Sequence, residues 1–137
     1  MKLLIHSKYT HSQFIGTEHP EELVILGAHY DSRGTFGHVR APGGDDDASG
    51  VSALLSLARL FKSFNIQFKH TVVLAFFSGE EQGLLGSKTY AKQLKEGKEN
   101  VRLMLQADMI GYHEPGEPMQ IALPDQHDTI EAVRAIS

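Results

Sequence analysis

The chain has no cysteine among its 137 residues. Disulfide frameworks, thiolate zinc sites and a cysteine nucleophile are therefore excluded. It also lacks long apolar runs. The longest, Val72 to Phe77, is far short of the roughly 20 residues that a membrane-spanning helix needs. The opening Leu3-Leu4-Ile5, broken by His6, is too short for the apolar core of a signal peptide. No cluster of lysine and arginine stands out, which argues against a nucleic-acid-binding surface. No internal repeat or low-complexity linker is visible.

What is present is the composition of an ordinary globular chain, 41% apolar and 22% charged, long enough for one compact domain with a real core. Thirteen basic against 17 acidic residues leave a net charge of −4. The acids are densest at Asp45-Asp46-Asp47 and Glu80-Glu81, a pattern that suits cations better than phosphates.

The pattern of apolar residues predicts alternating strands and helices. Residues 3–15 predict a weak strand pair at a sheet edge, and residues 16–22, punctuated by Pro20, a turn. Leu23 to Ala28 is apolar at every position, as expected of a strand covered on both faces. A Gly-rich loop over 32–47 leads to a helix beginning near Ala48, with Val51, Leu54, Leu55, Ala58 and Phe61 as its apolar stripe. Thr71 to Phe77 predicts a second buried strand, and Ser87 to Leu94 a helix with Tyr90, Ala91 and Leu94 facing inward. Val101 to Ala107 predicts a third strand and Met119 to Leu123 a fourth. Asp125 or Asp128 would cap a last helix carrying Ile130, Val133 and Ile136. The alternation implies an α/β fold with a largely parallel central sheet.

The polar residues fall where such a sheet binds ligands, beyond the carboxyl ends of its strands. The first buried strand runs into His29-Tyr30-Asp31, the second into Ser78-Gly79-Glu80-Glu81 and the third into Asp108, while Asp45-Asp46-Asp47 precedes the first long helix. Taken singly, each has a bland explanation: a surface histidine, a helix cap, a solvated helix start, a turn residue. Together, several carboxylates and a histidine meeting at one rim would repel one another severely unless a cation joined them. Imidazole with carboxylates suits zinc, with manganese or cobalt left open, and carboxylates can bridge a pair of ions.

Four strings now resemble those of the co-catalytic two-zinc aminopeptidases of the bacterial leucyl aminopeptidase and aminopeptidase S type. They are Gly27-Ala28-His29-Tyr30-Asp31-Ser32, Pro42-Gly43-Gly44-Asp45-Asp46-Asp47-Ala48-Ser49-Gly50, Phe77-Ser78-Gly79-Glu80-Glu81-Gln82-Gly83-Leu84-Leu85-Gly86-Ser87 and Gln106-Ala107-Asp108-Met109. They stand in the family's order, within roughly residues 20–112. The resemblance implies a three-layer phosphorylase/hydrolase-like zinc exopeptidase fold. It implies two zinc ions: His29 and Asp108 on one, Glu81 on the other, Asp46 bridging them. Glu80 would be the general base that takes a proton from the attacking water, and Asp31 would accept from His29 and orient its ring. Asp45 and Asp47 would support the loop and the helix start. The implied substrate is a peptide whose free α-ammonium sits on the acidic rim. Relatives in such families are often secreted, though no export signal is visible; oligomeric state, native metal and compartment stay open.

The family's fifth ligand, a downstream histidine, has no matching motif. His113 and His127 lie in different surroundings and read as surface loop histidines. Residues 1–137 are thus expected to be a single, incomplete zinc peptidase domain, lacking the family's C-terminal part and N-terminal helix. Three alternatives stay open: a truncated, catalytically inactive metal-binding fragment, a carboxypeptidase relative, and a glutaminyl cyclase relative.

Overall fold

A computed structural model describes residues 2–34 and 40–116. The predicted strand at Met119 to Leu123, the predicted helix carrying Ile130, Val133 and Ile136, and His127 lie outside the described residues. The chain runs β1 (Lys2–Ile5), β2 (Tyr9–Phe14), β3 (His19–His29), α1 (Ala48–Ser63), β4 (His70–Phe77), α2 (Leu85–Glu96) and β5 (Asn100–Gln106). The strands form one sheet in the order β1-β2-β4-β3-β5. β3, β4 and β5 are parallel, while β1 and β2 add an antiparallel pair at one edge.

The sheet is covered on both faces because β4 alternates its apolar side chains. Val73, Ala75 and Phe77 pack with Tyr9, Leu23, Ile25 and Tyr90 of α2. Val72 and Leu74 pack on the other face with Ala28 and Leu54 of α1. The result is helix, sheet, helix, as the all-apolar run at Leu23 to Ala28 predicts.

Two stripe residues are corrected. Leu55 is exposed, because it lies about 100° round the helix from Leu54, which is buried against the sheet. Ala91 is exposed for the same reason relative to Tyr90, whereas Leu94, one turn on, packs against the core. The predicted turn over 16–22 is also shorter than expected, since β3 already begins at His19. The extension is tolerated because Pro20 sits in a register irregularity between His19 and Leu23, and its carbonyl accepts the Thr71 hydroxyl at 2.8 Å.

The parallel register sets the site. His29 lies opposite Phe77, and Gly27 opposite Gln106. The three strands therefore finish at one level, and the residues that follow each of them emerge side by side. α1 starts at the same rim because Asp47 caps it, accepting the Gly50 N–H at 3.0 Å. Gly50 is required there: a Cβ at that position would collide with the Ala107 carbonyl and the Asp47 carboxylate. No helix among the described residues is long and apolar enough to cross a membrane.

Candidate metal centre

His29 closes β3 and is wholly buried. Its Nδ1 lies 3.0 Å from the main-chain oxygen of Asp31. A carbonyl can only accept, so Nδ1 carries the proton and Nε2 of the neutral ring is a bare lone pair. Nε2 is buried and has no hydrogen-bond partner among the described residues. Around it stand Asp46 Oδ1 at 3.0 Å, Asp108 Oδ1 at 3.7 Å and Glu80 Oε2 at 3.9 Å. A lone pair facing three carboxylates is stable only with a cation between them, either a proton or a metal.

The electrostatics of the metal-free chain point the same way. Burial pulls the His29 pKa down, but Asp108, the Asp31 carbonyl, Asp47 and Glu80 outweigh it, and the net shift is upward from 6.5. Burial pushes the Glu80 carboxyl up; His29 opposes this, while Asp108, Glu81 and Asp31 add to it. Asp47 is also raised, chiefly by burial, against the hydrogen bonds from His29 and Gly50.

The acid triplet divides its labour. Asp45 ties down the segment after β5, its carboxylate accepting the Gly111 N–H at 2.9 Å and its carbonyl the Ser49 hydroxyl at 2.7 Å. Asp46 faces His29 Nε2. Asp47 is almost fully buried and accepts two main-chain N–H groups, His29 and Gly50, both at 3.0 Å. One ligand-capable atom from each of His29, Asp47 and Asp108 lies within 4.8 Å of the others. Asp47 is nevertheless occupied as cap and brace, which leaves Asp46 as the acid of the triplet with its carboxylate toward the imidazole.

Asp31 reaches the ring through its main chain. The ring of His29 is held by the Asp31 carbonyl, and the nearest carboxylate oxygen is 3.6 Å from Nδ1. The carboxylate itself accepts the main-chain N–H of Glu80 at 3.1 Å and of Glu81 at 3.2 Å. One residue thus orients the histidine and also fixes the backbone that carries both glutamates.

Glu81 is not among the carboxylates around His29 Nε2. Its Oε1 accepts the Arg33 N–H at 3.0 Å and its Oε2 pairs with Arg33 Nε at 3.4 Å. Nothing in the sequence pattern marks Arg33: it is a single cation in a loop, with no periodicity or spacing to flag it. His113 is exposed.

The donor set fits zinc, which takes imidazole and carboxylate ligands together. His29, Asp46 and Asp108 are the residues that would hold an ion, with Glu80 beside them.

The profile described as Peptidase family M28 matches residues 11–136. The chain belongs to peptidase family M28. It is 42% identical over 99 residues to a "Probable zinc metalloprotease" of Pyrenophora tritici-repentis, covering 70% of this chain and 22% of that protein. It is 43% identical over 98 residues to "Leucine aminopeptidase 1" of Penicillium rubens, covering 67% and 26%. Among solved structures, LapB from Legionella pneumophila superposes with a TM-score of 0.63 at 30% identity, over 74% of this chain and 26% of that one. The chain therefore spans about a quarter of the length of these M28 relatives.

Proposed function

We propose that these residues form the metal-binding half of a zinc aminopeptidase, hydrolysing the N-terminal residue of peptides with a free amine. The observation that carries this reading is the buried His29 Nε2 ringed by the carboxylates of Asp46, Asp108 and Glu80. Membership of family M28 and the naming of one relative as a leucine aminopeptidase support it.

When bound, zinc supplies Lewis acidity, polarising the scissile carbonyl and making water acidic enough to attack near neutral pH. The chain's own residues do the rest. Asp46 and Asp108 give their oxygens, and His29 gives Nε2 because its Nδ1 proton is spent on the Asp31 carbonyl. Glu80 stands beside them, partly buried, with its carboxyl raised above the ordinary carboxylate value. A base of that kind takes the water's proton and returns it to the leaving amine. Asp31 fixes the Glu80 main chain, so the carboxylate stays in reach of the reacting atoms. The remaining negative charge of the rim attracts the substrate's α-ammonium.

The test is hydrolysis of leucine p-nitroanilide beside its N-acetylated counterpart, before and after a chelator. Cleavage of the free amine alone, lost on chelation and restored by zinc, is the expected result. Equal cleavage of the blocked compound would refute the N-terminal specificity. A second reading, zinc binding without turnover, is favoured by the Arg33 contact to Glu81. Stoichiometric zinc with no hydrolysis would establish it.

A further inference from the structure

Asp108 follows β5 outside any helix or strand. The turn after it carries Met109 in the left-handed region, at a φ of 48°, and the Tyr112 N–H closes on the Met109 carbonyl at 3.0 Å. A non-glycine residue keeps that conformation only where its surroundings hold it there. On one side the segment is held by the sheet, the Ala107 N–H donating to the Gly27 carbonyl at 2.8 Å. On the other it is held from the start of α1. The Ile110 N–H donates to Ser49 Oγ at 3.2 Å and the Gly111 N–H to Asp45 Oδ1 at 2.9 Å. The Ser49 hydroxyl in turn donates to the Asp45 carbonyl at 2.7 Å, which braces the two acceptors against each other. Gly111 fits because it has no side chain: a Cβ there would lie 2.7 Å from Asp45 Oδ1.

We infer that Asp45 is a positioning residue for the metal centre, holding the backbone beyond Asp108 and so setting the Asp108 carboxylate against His29 Nε2. This rests on the assignment of the His29 cluster as a metal centre. Asp45 acts through Asp108 and not as a ligand, because its Oδ1 is taken by Gly111, whereas Asp108 Oδ1 stands 3.7 Å from the ring nitrogen. The acid triplet thereby supplies one ligand, Asp46, and places another. The contacts of Asp45 to the turn are exposed, so they contribute little to global stability. Their effect is on where Asp108 stands.

Zinc titration of the metal-free chain tests this on Asp45→Ala, Asp45→Asn, Gly111→Ala and Asp108→Ala, with urea denaturation and circular dichroism of each variant. Asp45→Ala should weaken zinc binding about tenfold, the lower end of what supporting partners of metal ligands are worth. Its metal-free urea midpoint should stay near wild type. Asp45→Asn keeps an oxygen for the Gly111 N–H and should recover most of the loss. Gly111→Ala, whose methyl displaces the carboxylate, should match Asp45→Ala. Asp108→Ala should weaken binding further, and adding Asp45→Ala to it should change nothing more, since both act on one ligand. Unchanged affinity in Asp45→Ala, a loss in Asp45→Asn as large as in Asp45→Ala, or additive losses with Asp108→Ala would each overturn the inference and leave the metal centre standing. No zinc uptake by the wild-type chain overturns both.

Discussion

Asp31 and Glu80 are joined across the ends of β3 and β4, the Asp31 carboxylate accepting the Glu80 main-chain N–H at 3.1 Å. Because the same carboxylate also takes the Glu81 N–H, and the Asp31 carbonyl takes His29 Nδ1, one residue sets the placement of three others. Asp31→Ala keeps the carbonyl and removes the carboxylate. Zinc stoichiometry at the His29 position should survive, while turnover falls at least about tenfold as Glu80 loses its support. Measuring kcat and bound zinc on the same sample separates the two. An unchanged kcat would remove Asp31 from the positioning of Glu80.

Asp46 and Asp47 are neighbours with different duties, and substitution should separate them. Asp47→Ala deletes a helix cap worth about 1 kcal/mol and strands the buried His29 N–H, for about 1–3 kcal/mol more. Urea denaturation should therefore show a loss of roughly 2–4 kcal/mol. Asp46→Asn removes a half-exposed carboxylate that stands 3.0 Å from His29 Nε2. Its metal-free stability should change far less than that of Asp47→Ala, while zinc affinity drops. The opposite pattern would mean that Asp47, not Asp46, is the ligand.

The pH dependence of the metal-free chain follows from the upward shift of His29. The folded form holds its proton to higher pH than the unfolded chain does, so the stabilisation is complete below 6.5 and lost as pH rises through the raised value. Glu80 and Asp47 are also raised, and they too favour the folded state as pH falls through their own ranges. Chemical denaturation in chelator should show stability increasing between about pH 8 and about pH 6. In saturating zinc the trend should reverse, because the metal must displace the His29 proton. A flat metal-free profile would show that His29 does not titrate among these acids.

Much of this was legible in the sequence because strands buried on both faces announce themselves as unbroken apolar runs. Leu23 to Ala28 and Thr71 to Phe77 located β3 and β4, and the acids and histidine at their ends located the rim. The parallel register then brings His29, Asp46, Glu80 and Asp108 together without further information. Helix faces were harder: Leu55 and Ala91 are apolar but lie one residue off the buried line. Pro20 suggested a turn, whereas a register irregularity lets it sit inside β3. The pairing of Arg33 with Glu81 could not be read at all, since it joins residues 48 apart in loops of no regular spacing.

The most direct measurement is zinc binding by the metal-free chain, made in parallel on His29→Ala, Asp46→Ala and Glu80→Gln. If His29 Nε2 and its acids are a metal centre, the wild-type chain takes up zinc stoichiometrically. His29→Ala and Asp46→Ala then lose it, and Glu80→Gln keeps it while losing hydrolysis by about 100-fold or more. Zinc uptake that is absent in the wild type, or undiminished in His29→Ala, would contradict the assignment.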